Sequence, residues 1–178
     1  AHAGRATLEF YGQPIPIEVK ADQSPLTQAD KASHTLITTQ LSRLTPDIPV
    51  VSEESAESAA ISRAADEWRW LVDPLDGTKE FIQQTGQFTV NSALVHRGYP
   101  VLGVVYVPVS DMSYCGVNSA DQTAAWMQPA GEQRQVIHTR RADLRHLTVV
   151  ASRDHAGPVV EAFLKRLAGA EIASMGSS

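Results

Sequence analysis

Cysteine is almost missing from this chain of 178 residues: Cys115 carries the single thiol, so no intrachain disulfide can form and the protein fits a reducing compartment. Uninterrupted apolar sequence is also scarce. The longest run, Val101 to Val107, falls far short of the roughly 18–20 residues that span a bilayer, even when carried on through Pro108 and Val109. A membrane-crossing helix is thereby excluded. Positive charge is short: 15 Lys and Arg face 20 Asp and Glu for a net charge of −5, and no basic run compensates locally. A nucleic-acid polymer is therefore not the expected partner, and a phosphorylated substrate would need metal ions to supply much of the positive charge. The six histidines show no His-x-x-x-His or His–Cys pairing of the kind that ligates metals. The chain starts Ala1-His2-Ala3, with no initiator methionine and no charged-then-apolar leader, so no secretory signal is read in it. What is present is ordinary for a soluble globular domain: 43% apolar and 20% charged residues, which excludes disordered, collagen-like and coiled-coil classes.

Residues 3 to 11 read as the last turns of a helix whose beginning is not in the chain, followed by an extended stretch imposed by Pro14 and Pro16. From Thr27 to Leu44, Ala29, Ala32, Leu36, Ile37, Leu41 and Leu44 recur at three- and four-residue intervals, predicting an amphipathic helix opened by Ser24-Pro25 and closed by Pro46. Pro49 to Val51 predicts a short strand. The polar stretch Ser52 to Glu67 predicts a mobile loop with some helix, and Trp70 to Val72 a strand ending abruptly at Asp73-Pro74. Strands and turns then alternate as antiparallel hairpins from Phe88 to Thr139. Beyond residue 140 the pattern changes to strand (Leu147–Ala151), helix (Pro158–Ala168) and strand (Glu171–Ser174), the opening of a parallel α/β unit.

The densest chemistry is Asp73-Pro74-Leu75-Asp76-Gly77-Thr78-Lys79-Glu80-Phe81. Carboxylates three residues apart on a straight strand point to opposite faces, so they converge only if the chain turns between them, and Pro74 supplies a break. Two convergent carboxylates suit a hard cation; the same residues also suit a solvated Asp-Pro, Asp-Gly turn. Gly77 admits close approach of a ligand, and a helix starting at Thr78 would turn its free N–H groups toward a phosphate. A calcium EF-hand loop is excluded, because Val72 and Pro74 stand where it needs oxygen ligands. The Asp-x-Asp-Gly-Thr of haloacid-dehalogenase-type phosphatases is disfavoured by one residue too many between the aspartates. Glu53 and Glu54 follow a strand exit, as Asp73 does, and taken alone read as a solvated helix start or loop. Asp30, in Thr27-Gln28-Ala29-Asp30, has the form of a capping box. Lys20 and Lys79 read either as phosphate partners or as surface lysines, and Cys115 as a small buried hydrophobe in a strand.

Four segments in this order, Pro25-x-Thr27-x-x-Asp30, Ser52-Glu53-Glu54, Trp70 to Thr78 and Gly103-Val104-Val105-Tyr106-x-Pro108, resemble the inositol monophosphatase superfamily of magnesium-dependent, lithium-sensitive phosphatases. Within it, Lys79-Glu80-Phe81 after Asp-Gly-Thr, with Thr45-Pro46-Asp47-x-Pro49 upstream, is similar to the CysQ-type 3′(2′),5′-bisphosphate nucleotidases. The resemblance implies removal of the 3′-phosphate from adenosine 3′,5′-bisphosphate to give AMP, a clearance step in sulfur assimilation, with inositol monophosphate as the rival substrate. It implies that Glu53, Asp73, Asp76 and the Leu75 carbonyl ligate two or three Mg²⁺ ions. It further implies that Asp30 and Thr78 are catalytic, orienting the attacking water, and that Glu53, Leu75, Asp76, Gly77 and Thr78 meet the substrate.

The fold implied is a layered αβαβα sandwich of the inositol monophosphatase/fructose-bisphosphatase type, α+β and α/β in character and here truncated at both ends. Residues 1–140 would form an N-terminal α+β part with an antiparallel sheet and the metal site, and 141–178 the incomplete start of a C-terminal α/β part. The family's later Trp-Asp motif, whose Asp completes the metal site, does not occur before Ser178. That departure leaves a non-catalytic metal- or nucleotide-binding fragment as the reading from another class. A homodimer, a cytoplasmic location and peripheral association with the cytoplasmic face of the inner membrane are further expectations of the resemblance.

Overall fold

The computed structural model describes residues 1–20, 22–55, 68–141, 143, 146–152, 157–167 and 169–176. Helices α1 (His2–Leu8) and α2 (Gln28–Leu44) pack on each other and on a sheet of seven strands. In order across that sheet lie β3 (Val50–Ser52), β4 (Trp68–Asp76), β5 (Thr89–His96), β6 (Tyr99–Val107), β7 (Met112–Asn118), β8 (Thr123–Pro129) and β9 (Gln135–Val136). β3 runs parallel to β4, and every later pair is antiparallel. A short pair, β1 (Glu18–Val19) with β2 (Pro25–Leu26), precedes α2, and the short helix α3 (Thr78–Ile82) follows β4. Strands β10 (Thr148–Ser152) and β11 (Glu171–Met175) form a separate parallel pair linked by α4 (Pro158–Arg166), as the strand-helix-strand pattern predicts. Among the described residues no helix is long and apolar enough to cross a membrane.

Helix α2 starts where its sequence dictates. Thr27 is the N-cap, its Oγ1 accepts from the Ala29 N–H, and the Asp30 carboxylate reaches back to the Thr27 N–H at 2.8 Å, completing the capping box. At the other end the Trp70 indole N–H donates to Thr45 Oγ1 at 3.0 Å, tying the helix exit to β4. The core beside the motif is aromatic: Phe81 of α3 and Phe88 just before β5 meet edge to face at 5.0 Å, and Tyr11 touches both. Burying each Phe contributes about 1.5–3 kcal/mol, and that burial fixes α3 under the end of β4. Gly4 lies so close to the Tyr106 ring that a Cβ would collide with it, and this sets how near α1 approaches β6.

The structure corrects the sequence reading in four places. Ser24-Pro25 does not open α2; Pro25 pairs in β2, and the helix waits for the Thr27 cap. Leu36 and Leu44, assigned to the buried stripe, are 38% and 73% exposed, while polar Asp30 and Ser33 are buried. β4 does not end at Asp73-Pro74 but continues to Asp76, its ladder with β5 interrupted between Asp73 and Asp76. The strand survives its proline because the missing N–H falls at an irregularity, where no ladder bond is required. β9 pairs over Gln135–Val136 only. The loop-and-helix expectation for 56–67 lies outside the described residues.

Candidate active site

The interruption in β4 is what arranges the acidic residues. Up to Asp73 the strand pairs regularly, Asp73 opposite Asn91, and pairing resumes with Asp76 opposite Thr89. Within the gap, Asp73 Oδ1 accepts the Leu75 N–H at 3.2 Å, so the side chain supports the backbone that the ladder has released. Gly77, with φ of 90°, sits in the left-handed region that glycine enters at no steric cost, and it turns the chain from β4 into α3. The parallel ladder also extends past β3: the Glu53 N–H donates to the Val72 carbonyl at 3.0 Å, so Glu53 emerges beside Asp73.

Crowding of like charge follows. The Asp73 carboxyl is pushed up to about 7, by burial first, then by the negative charges of Glu53 and Asp76. Asp76 is held by the Asn91 amide at 3.3 Å and approached by the Thr89 hydroxyl at 3.4 Å. Asn91 Oδ1 is buried and has no hydrogen-bond partner among the described residues. Opposite them lies the second group: Thr78 Oγ1 stands 3.2 Å from Asp30 Oδ1 and 3.3 Å from the Leu75 carbonyl, its single proton shared between two acceptors. Asp30 is buried, and burial raises its pKa against the pull of its hydrogen bonds from Thr27 and Thr78.

The expected convergence of Glu53, Asp73 and Asp76 is partial. Among the described residues no three His, Cys, Asp or Glu side chains stand ready to hold a metal ion. Glu53 is shared between two neighbours: the Lys20 ammonium lies 3.0 Å from Glu53 Oε1 and 2.5 Å from Glu54 Oε1, and Glu53 also meets the Asp73 carboxyl. Burial disfavours that ammonium, but the bonds to Glu54 and Glu53 outweigh burial and raise the Lys20 pKa. Lys20 is thus neither a plain surface lysine nor shown on phosphate. The sequence reading did not single out Asn91, Thr89, Ser33 or His34, and it quoted Ser52 only as part of the Ser52-Glu53-Glu54 segment, with no role. A signal existed for the strand pair, since Thr89 and Asn91 are polar positions two apart and so share one face of the strand. An apolar groove of about 480 Å³ runs along the sheet from Glu53 and Asp73 past Leu71, Ala93 and Val105.

The donor set suits a hard cation: carboxylate and carbonyl oxygens, buried and crowded enough to raise Asp73 to about 7, with an unsatisfied buried acceptor on Asn91. Comparison with known proteins agrees in kind. The model of the inositol monophosphatase family matches residues 1–178. The 3′(2′),5′-bisphosphate nucleotidase CysQ of Escherichia coli K12 is 44% identical over 181 residues, covering 99% of this chain and 70% of the relative. The protein of the same name from Buchnera aphidicola is 36% identical and is covered over 64% of its length. The crystal structure of CysQ from Bacteroides thetaiotaomicron superposes with a TM-score of 0.77 at 35% identity, covering 97% of this chain and 68% of that one. An inositol monophosphatase from Thermotoga maritima, at 21% identity and a TM-score of 0.78, shares the fold.

Proposed function

The chain belongs to the inositol monophosphatase family, whose members are metal-dependent phosphatases, and on that premise we propose that it is a 3′(2′),5′-bisphosphate nucleotidase. It removes the 3′-phosphate from adenosine 3′,5′-bisphosphate, leaving AMP and inorganic phosphate. The observation that carries this reading is the Thr78–Asp30 hydrogen bond beside a carboxylate group in which burial, and then the charges of Glu53 and Asp76, lift Asp73 to about 7. Crowded carboxylates favour a cation, and a hydroxyl backed by a buried carboxylate can direct a water.

Glu53, Asp73, Asp76 and the Leu75 carbonyl would hold Mg²⁺, in two or three ions. When bound, such ions offset the charge of the phosphate, lower the pKa of a water and stabilise the leaving oxygen. The residues of the chain do the rest. Asp30 fixes Thr78, and the Thr78 hydroxyl orients the attacking water. The backbone N–H groups of Gly77 and Thr78 bind the phosphate, close approach being open because Gly77 has no side chain. Water attacks phosphorus in line with the 3′ oxygen; the new P–O bond forms as the old one breaks, and the leaving oxygen takes a proton. No covalent enzyme intermediate is needed.

The test is hydrolysis of adenosine 3′,5′-bisphosphate against inositol 1-phosphate by the protein in its full reading frame, with Mg²⁺ and after chelation. A higher kcat/KM for the nucleotide, lost on chelation and restored by Mg²⁺, is expected. Preference for the inositol ester would reassign the substrate. Cation binding without hydrolysis of either would favour a metal- or nucleotide-binding module. Lithium inhibition and a homodimer belong to the same proposal.

A further inference from the structure

We propose that Ser33 and His34, adjacent residues on α2, are positioning residues that hold the two ligand-bearing segments of the metal centre at their working separation; this rests on the metal-dependent reading above. Ser33 is fully buried, and its hydroxyl donates to the Pro74 carbonyl at 2.7 Å. Pro74 stands between Asp73 and Leu75, within the stretch where β4 has lost its regular ladder to β5. The His34 ring nitrogen Nδ1 lies 2.8 Å from Ser52 Oγ, and Ser52, itself fully buried, directly precedes Glu53.

Asp30, Ser33 and His34 are spaced i, i+3, i+4, so they share one face of α2. Each reaches a different part of the centre: Asp30 reaches Thr78, Ser33 reaches Pro74 and His34 reaches Ser52. A helix that needed only to pack would bury apolar side chains here, because an unpaired buried hydroxyl is costly. The parallel ladder already sets Ser52 against Val72 and the Glu53 N–H on the Val72 carbonyl. The height of the interrupted stretch is what the ladder leaves undetermined, and there the Ser33 bond falls. Among the described residues neither bonds a ligand oxygen: Ser33 holds the Pro74 backbone carbonyl, and His34 holds the side chain of Ser52, next to Glu53.

Mn²⁺ binding, read by the loss of the free-ion spin-resonance signal, separates this role from simple packing. Partners that orient ligands typically change metal affinity by about 10–100-fold when removed. Ser33→Ala and His34→Ala are each expected to weaken Mn²⁺ binding about tenfold or more, and to raise the Mg²⁺ concentration needed for half-maximal activity in parallel. His34→Asn, whose amide can still bond Ser52, is expected to recover most of that loss. If both alanine variants melt earlier in chelator yet bind Mn²⁺ as the wild type does, the residues only pack and the proposal is overturned. His34→Ala, at a half-buried site, decides the matter if Ser33→Ala does not fold. A wild type that takes up no Mn²⁺ at all would overturn the functional reading together with this one, which distinguishes the two failures.

Discussion

Replacing Asp73 with Asn is expected to stabilise the cation-free protein and to abolish its response to Mg²⁺, two effects of opposite value from one atom. In the fold the carboxyl rises from 3.8 to about 7, by burial and then by the charges of Glu53 and Asp76. An acid raised in this way contributes stability that is complete below 3.8 and is lost as pH climbs through about 7, because between those limits the folded chain keeps a proton the unfolded chain has released. Converted in full, that rise is worth about 4 kcal/mol, at roughly 1.36 kcal/mol per pH unit. The carboxyl keeps contact with solvent, and screening reduces the penalty to roughly 1–2 kcal/mol at pH 8. Asn has nearly the same shape, cannot ionise, and retains the oxygen that accepts the Leu75 N–H at 3.2 Å. Thermal unfolding in chelator should therefore place Asp73→Asn several degrees above the wild type at pH 8, with the gap closing below pH 4. Added Mg²⁺ should reverse the order, since at about 100 times its dissociation constant it stabilises the wild type by about 2.7 kcal/mol. A variant that melts below the wild type in chelator at pH 8, or that gains as much from Mg²⁺, would refute the reasoning.

Thr78→Ala removes the hydroxyl bonded to Asp30 and is expected to lower kcat about 10²-fold with a much smaller change in KM, while Thr78→Ser retains most activity. Steady-state kinetics with an unchanged circular-dichroism spectrum checks it. Lys20→Met leaves the Glu54 carboxylate, 11% exposed, without its cation, and is expected to lower stability by about 1–3 kcal/mol in urea unfolding. Adding Glu54→Gln should recover most of that loss.

The sequence made the acidic run legible because Asp73, Asp76, Gly77 and Thr78 are consecutive chemistry, and the Thr27–Asp30 box because a cap is a local pattern. The geometry joining them was not legible. Pro74 reads as a strand terminator, and only the pairing of β4 with β5 on both sides of it reveals a strand that continues through an interruption. On α2 the apolar period pointed to Leu36 and Leu44, and both are exposed. Hydrophobicity cannot recognise Ser33 or His34 as inward-facing, because a polar residue on a helix counts toward the solvent side unless its partner is known. Those partners, Pro74 and Ser52, lie 41 and 18 residues away in sequence. Glu53 alone resembled any loop glutamate; its place follows from one backbone bond to Val72.

Strand β3 has three residues and lies at the end of the sheet, whereas β4 has nine and is flanked on both sides. Local opening in proteins begins where few bonds must break, so amides of β3 should exchange with solvent sooner than those of β4. The carboxylates of the centre then belong to parts of the molecule with different lifetimes: Asp73 and Asp76 share the slow clock of the sheet interior, and Glu53 the fast clock of its border. A bound cation would be released by the border first, with the sheet still closed behind it.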